Sequence, residues 1–568
     1  MGLFKTLLKF FLCLSCLSVY SENTVIEKKV INKQQIPYLM QCNEIRRSID
    51  LYQEYRKELG RHDFEILQQM AMILLEQGAH SDDPEKQLLS LYGSNIGGIS
   101  SSIDILESGV QSRHPQTQLA AIQLIGQLQD DRSDELLTKA MSSDFFYTRM
   151  EAAYFLAVRK NRNAVGQIES LMYRIPPQMR FFFPEFFALI GTTEAISVLR
   201  QLMDDKFHMT RIESILSAAR FGRDDLLPII RARATHLNVA EQEACATAFG
   251  LLRDSKSLPL LKKLAGSSSD NIRLAAYRAL AALGDTQVKD QIIKMASEQN
   301  QHAISVLGDV AGGEDVLLGL IKNENIQVRF NAAFALLKRR DPRCAPYLLE
   351  FILRDSRDLG FQPQFTVGNS LMAWKVIPSV LQHAKENPFD ILAMSLKVRE
   401  QMLRECLELP EKEFLEIAQR IFDTKQADLI PLLVVLLQNQ QTTAALDLLA
   451  TKAQAAGAPL IRAYCSLALF RIRQEGPYLE KTRQWIALKK NTELIRFRPT
   501  LPWNNRISES TSSLELTPEE NSRLLIECYQ SLADRHEDDS IDIILDGIKE
   551  GHIKNRPVLA GLLMRALQ

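Results

Sequence analysis

Little in this 568-residue sequence is concentrated enough to announce a chemistry. Charge of one sign is missing. The 68 basic and 69 acidic residues leave a net charge of -1, so no global field argues for nucleic acid or an anionic membrane. Glycine and proline are sparse, at 25 and 21 residues, which excludes a collagenous or low-complexity chain. Of the eight cysteines, Cys13 and Cys16 lie in the N-terminal apolar run, and the other six form no CxxC pair and have no histidine nearby, which excludes a zinc site or a disulfide framework among them. No Walker loop, GxSxG, HExxH or dinucleotide fingerprint occurs, and the nine histidines stand singly. Past residue 21, no apolar run reaches the length of a membrane span.

The N-terminus departs from this average. Lys5 and Lys9 precede an apolar run from Phe10 to Tyr20, with Val19 and Ser21 before Glu22. That order predicts a signal peptide over 1–21 and export to a bacterial periplasm, the cell envelope or the medium. Leu14-Ser15-Cys16 resembles a lipobox, making a lipid anchor at Cys16 the alternative. The remaining cysteines (Cys42, Cys245, Cys344, Cys406, Cys465 and Cys528) are expected to be buried free thiols. No Asn-x-Ser/Thr sequon follows the signal, which favours a bacterial envelope over a eukaryotic secretory route.

What the chain does contain is repetition. Blocks open at Lys86, Thr117, Thr148, Met179, Thr210, Glu241 and Ile272, 31 residues apart, then at Asn300 and Val328 after steps of 28. A period of this length means stacked supersecondary units. In the block from Ile272, residues Ala275, Ala276, Ala279, Leu280 and Leu283 keep helical spacing, and Gly284-Asp285 stops the helix. Val288, Ile292 and Met295 mark a second helix, and Asp270 is expected to cap the first. Twenty positions after the starts lie Leu106, Leu137, Ile168, Leu199, Ile230, Leu261, Ile292, Leu320 and Leu348. A row aliphatic throughout predicts a continuous core.

Two polar rows accompany it. Arginine recurs at the second position, as Arg149, Arg180, Arg211, Arg273, Arg329 and, in a further copy from Ile461, Arg462. Aspartate recurs in the turn, as Asp130, Asp254, Asp285 and Asp341. The expectation is that the two ladders face each other and tie neighbouring repeats together.

These blocks resemble HEAT repeats, in the short bacterial form also found in phycobilisome-lyase-like proteins, over about residues 86–353 and again near 461. The resemblance implies an all-α, right-handed α-solenoid of stacked antiparallel helix pairs whose second helices line the concave face. It also implies a non-enzymatic scaffold for a protein partner, with no cofactor and no nucleic acid. A secreted effector shares that fold and differs only in destination. A HEAT-like enzyme or cofactor-handling lyase is the rival of another class. Di-iron members carry several His-Glu pairs, whereas this chain has the single pair His536-Glu537.

Two groups of residues are candidates for binding. Lys139, Arg200, Arg231, Lys262, Lys263, Lys294 and Lys322 fall one or two positions beyond the aliphatic row. On a concave face they form a basic stripe, interrupted at Glu107 and Glu169, suited to an acidic segment, a lipid head group or a phosphate backbone. Cations near helix C-termini also arise simply because the macrodipole favours them. The second group is Phe181, Phe182, Phe183, Phe186 and Phe187 around Pro184. It reads either as an exposed aromatic anchor, with Phe181, Phe182 and Phe186 in contact with a partner, or as an irregular core where the solenoid changes curvature.

The expected organisation is therefore as follows. Residues 22–85 form an N-terminal helical cap and 86–355 the repeat array. Residues 356–490 continue it as degenerate repeats, with helices near 366–384, 390–408, 411–422 and 426–438. A linker at 491–516 carries Pro499, Pro502 and Trp503, and a C-terminal helical cap at 517–568 opens on Thr517-Pro518-Glu519-Glu520, a capping box.

Overall fold

The computed structural model describes residues 32–98, 102–353, 388–424, 427–497 and 514–568. The signal peptide, Cys16, the helix expected near 366–384 and Trp503 lie outside them. The described residues form thirty α-helices and no strand. An N-terminal group holds α1 (Gln35–Gln41), α2 (Ile45–Leu59) and α3 (Phe64–Ala79).

Nine helix pairs follow. The first five are α4 (Pro84–Gly97) with α5 (Ser102–Val110), α6 (Pro115–Ile125) with α7 (Asp131–Ala140), α8 (Phe146–Val158) with α9 (Val165–Tyr173), α10 (Pro184–Ile190) with α11 (Thr193–Leu202), and α12 (His208–Arg220) with α13 (Leu227–Arg233). The other four are α14 (Val239–Leu251) with α15 (Leu258–Leu264), α16 (Asp270–Ala282) with α17 (Val288–Ser297), α18 (Gln301–Val306) with α19 (Glu314–Leu320), and α20 (Ile326–Lys338) with α21 (Ala345–Ile352). Three more pairs are α22 (Pro388–Glu405) with α23 (Glu411–Asp423), α24 (Ile430–Gln440) with α25 (Thr443–Lys452), and α26 (Pro459–Arg471) with α27 (Tyr478–Lys489). Then come α28 (Pro518–Ala533), α29 (Asp538–Glu550) and α30 (Arg556–Ala566). Arg399, 2% exposed, ties α22 back to the array by donating to the Ile352 carbonyl at 2.8 Å.

The turn inside each repeat explains the register. Positive φ occurs at Gly98, Lys160, Gly191, Gly222, Arg253, Gly284, Gly312 and Arg340, each twelve residues after a block start, and again at Arg473. Gln129 is the exception. After such a left-handed residue, the next N–H reaches back to a helix carbonyl, as from Asp254 to Phe249 at 2.9 Å, Asp285 to Leu280 at 3.0 Å and Asp341 to Leu336 at 3.0 Å. The same aspartate then caps the second helix through its carboxylate, which accepts from Lys256, Gln287 or Arg343 N–H. One residue thus closes one helix and opens the next.

The expected facing ladders of arginine and aspartate do not form. The aspartates are spent as caps, and the arginines reach back about six residues to the carbonyls of the loop before their own helix. Arg211 donates to Asp205 O at 2.8 Å, Arg273 to Ser267 O at 2.9 Å and Arg329 to Asn323 O at 3.0 Å. Those carbonyls are left over where the preceding second helix ends, so the arginine seals the joint between repeats. Asp270 does not cap either. It is the first residue of α16, and its carboxylate bonds Arg273 and Asn300.

All nine members of the aliphatic row are buried, from 0% exposed for Leu137 to 8% for Leu320. On the first helices, small residues let successive repeats approach closely. A Cβ on Gly250 in α14 would lie 2.9 Å from the Ala279 Cα of α16.

The row of first helices closes on itself. Each packs on the next from α4 to α26, α28 packs on α26, α30 on α28, and α30 then packs on α3 and α4. The two terminal segments therefore do not present polar outer faces at opposite ends of an open array. Helix α30 is almost wholly buried, with Val558, Leu559, Leu562 and Leu563 at 0–1% exposure. It crosses α4 at paired glycines: a Cβ on Gly561 would lie 1.9 Å from the Gly93 carbonyl oxygen. Around this crossing lie Arg46–Glu550 at 3.0 Å, Lys554–Glu85 at 2.7 Å, and the pairs Arg56–Asp542 and Lys549–Asp50. On the other side, Asn555 accepts from Leu494 N–H at 2.8 Å, and Arg471 pairs with Glu527 at 3.2 Å.

Lys160→Gly and Arg253→Gly remove a left-handed strain and should each stabilise the fold by about 0.5–1 kcal/mol, read as a raised urea midpoint. Gly561→Ala should cost about 2 kcal/mol or more, because backbone must move to admit the methyl. Hydrogen exchange should then show the loss of protection in α3, α4 and α30 before α14–α16.

Candidate binding surface

The seven predicted cations share a register, but the structure divides them into two classes. Lys139 on α7 is exposed, with its Nζ 3.4 Å from Glu107 Oε1. Arg132 approaches the same carboxylate at 3.1 Å and, with Lys139, holds it below the usual carboxylate range. Arg231 on α13 is half-buried and grips Asp254 with two hydrogen bonds of 2.8 Å. That guanidinium is the main reason the Asp254 carboxyl titrates low. A bidentate pair of this kind holds geometry and leaves nothing for a partner.

Arg200, Lys262, Lys263, Lys294 and Lys322 are exposed and make no ion pair among the described residues. The last four come from three consecutive repeats, at the ends of α15, α17 and α19. Lys263, Lys294 and Lys322 each fall 22 residues after a block start, with Lys262 one position before, on the second helices or just past their ends. Arg231, Lys262, Lys263 and Lys294 sit in the last turns of α13, α15 and α17, and Lys322 lies two residues past the end of α19, positions where the dipole also favours a cation.

The phenylalanine block resolves into core and edge. Pro184 begins α10, leaving it seven residues where neighbouring first helices have thirteen, and Pro177–Phe182 forms a 3-10 turn. A proline has no N–H to donate and suits a first helical position. Phe183, Phe186 and Phe187 are 0–4% exposed. Phe186 lies 6.2 Å from Tyr154 between ring centroids. It is thus unavailable as a surface anchor. Phe181 and Phe182 are half-buried and stack on each other at 4.3 Å.

More exposed apolar groups lie elsewhere on this edge. Tyr147 is 73% exposed and Met209 44%, both one residue before a block start. Tyr173, beside Arg180 at 5.0 Å, is 55% exposed. The sequence carries this signal only as a register position, which a scan for aromatic clusters does not see.

The other candidate chemistries are placed as follows. His536 adopts a left-handed turn, and Glu537 pairs with Arg535 at 2.7 Å. No group of metal-ligating residues occurs among the described residues. Cys245, Cys344, Cys406, Cys465 and Cys528 are buried free thiols, with Cys245, Cys344 and Cys528 pushed up to about 12 by burial. Cys42 departs from the expectation and is exposed. A 400 Å³ cleft between α26, α27 and α28 is walled by Trp485, Leu488, Leu516 and Leu524, without a histidine or carboxylate.

Residues 234–302 match the family model for HEAT repeats. This stretch of the chain is built of HEAT repeats. The matched stretch holds α14 to α17, and the same turn, cap and aliphatic row extend on both sides of it. HEAT-repeat folds generally serve as protein-binding scaffolds rather than catalysts. Among solved structures, the chain is similar to UNC-45 from Drosophila melanogaster, at 13% identity over 94% of this chain and 87% of that one, with a TM-score of 0.27. It is also similar to an engineered protein, at 15% identity over 71% of this chain and 98% of that one, with a TM-score of 0.19. Superpositions that loose carry no argument about this chain. No curated protein matches it.

Within the HEAT array, charge that is buried is structural. Glu241 is 1% exposed and is held by Arg211, with Arg233 at 3.7 Å. Arg211→Met should therefore cost about 3 kcal/mol, since it strips a buried carboxylate of its main partner. Chemical denaturation checks this, and the double variant Arg211→Met/Glu241→Gln should recover much of the loss.

Proposed function

We propose that this protein is an exported, non-enzymatic HEAT-repeat scaffold that holds an acidic segment of a protein partner on the second helices of its sixth to eighth repeats. The supporting observation is the recurrence of Lys262, Lys263, Lys294 and Lys322 in three consecutive repeats, exposed and without an ion pair among the described residues. Exposed ammonium groups spaced one repeat apart attract an extended acidic chain by long-range steering and short contacts, each worth little alone. Arg200 extends the series beyond the break that the Arg231–Asp254 clamp creates. Export is supported by the order of charged, apolar and small residues over 1–21.

Crosslinked capture from intact cells, with the full chain as bait, identifies the partner. Reversal of Lys262, Lys263, Lys294 and Lys322 to glutamate should then weaken binding by about 30-fold or more, and the wild-type affinity should fall with salt. Unchanged recovery discards the surface. Sequencing from the N-terminus tests export: a mature chain starting at Glu22 outside the cytoplasm supports it, and an intact Met1 in the cytosol overturns it.

A further inference from the structure

The closure between the chain's two terminal segments contains one buried titratable cluster. His62 lies in the turn between α2 and α3, its side chain 1% exposed. From α2, the Tyr52 hydroxyl is 2.9 Å from His62 Nδ1, and the same hydroxyl accepts from Asp63 N–H at 3.2 Å. The oxygen has a second lone pair, and its hydrogen is assigned to Nδ1. The neutral ring therefore carries its proton on Nε2, an assignment made from the network. Nε2 faces α29 across the closure, 3.7 Å from Asp542 Oδ1.

The other charged groups around the ring are Arg56 on α2, which pairs with Asp542 and lies 3.8 Å from Asp538, and Tyr55 on α2, which bonds Asp63 at 2.9 Å. Protonation of Nδ1 turns it into a donor aimed at a hydroxyl that is already donating to it. Tyr52 must then rotate, leaving its own hydrogen without an acceptor beside a buried cation. Asp542 offers attraction, but Arg56 already holds it and repels the new charge.

We propose that His62 makes the closure acid-sensitive, so that as pH falls below about 6.5 the α29–α30 segment opens from α2–α4 more often. In the closed form, burial, followed by the Arg56 charge, pushes the His62 imidazole below its usual range. A histidine lowered in this way contributes stability above the open-state value, and loses it as pH falls. His536, 3.4 Å from the Ala566 carbonyl of α30, and His552, 3.9 Å from Glu493, lie on the same segment, so a His62 variant is needed to assign the dependence to this ring. Separation uncovers the apolar faces of α3, α4 and α30, the surfaces best able to engage another protein once the solenoid is open.

Hydrogen exchange of the full chain between pH 7.5 and 5.0, corrected for intrinsic rates, tests this. Protection in α4 and α30 should fall by up to about thirty-fold, the limit set by the 1.5 pH units below an ordinary histidine, while α14–α16 stay unchanged. His62→Asn, which keeps an acceptor for Tyr52, should abolish the dependence. Tyr52→Phe removes the group that holds Nδ1 unprotonated and should move the opening to higher pH. A flat wild-type profile overturns the proposal, as does a parallel fall in α14–α16 or the same dependence in both variants.

Discussion

A pair of short helices has an apolar flank on each side, and only another pair can cover it. That constraint governs the whole chain. It sets the 31-residue register, because each pair must meet its neighbour at the same height. It selects small residues on the first helices, where Gly250 and Ala279 meet backbone to backbone. It also leaves two flanks bare at the ends of any open stack. Here those flanks meet: α30 enters between α3, α4 and α28, and Gly93 and Gly561 allow its backbone to pass. Methyl groups at that crossing would hold the helices apart and expose the apolar faces on both sides.

Polar groups follow from the same geometry. Every joint between repeats leaves carbonyls that a helix end cannot satisfy, and an arginine at the second position reaches back to them. In the turns at Asp254, Asp285 and Asp341 one aspartate supplies both the amide that closes one helix and the carboxylate that accepts from the start of the next. Ion pairs around Glu241 and Asp254 then lock the central repeats. Lys262, Lys263, Lys294 and Lys322, exposed and without an ion pair among the described residues, recur in three consecutive repeats over α15, α17 and α19, which is why the binding surface is assigned there.

Much of this was legible beforehand. The aliphatic row kept its phase through the change of spacing from 31 to 28, and all nine members are in the core. Thr517, Pro518 and Glu520 form the capping box that their order implies. Other features were hidden for physical reasons. Positive φ at Lys160, Arg253 and Arg340 leaves no mark in composition, because a long basic residue there bears strain that glycine would avoid. The partners of Arg149, Arg211 and Arg273 were misread because backbone carbonyls are present at every position and leave no sequence signal. Phe186 looked superficial in a cluster of five rings, yet a shortened α10 turns it into the core.

By itself the sequence determined repetition, helix period and the polarity of each face, since these depend on residues close together in the chain. It also carried the caps, for the same reason. Only the tertiary structure decided that Lys139 and Arg231 are already paired while Lys262 and Lys294 are not, because those partners come from neighbouring repeats. It decided too that the terminal segments join, through a crossing of Gly93 with Gly561, 468 residues apart in sequence. No local pattern encodes a contact of that separation, since it depends on the summed curvature of every pair between.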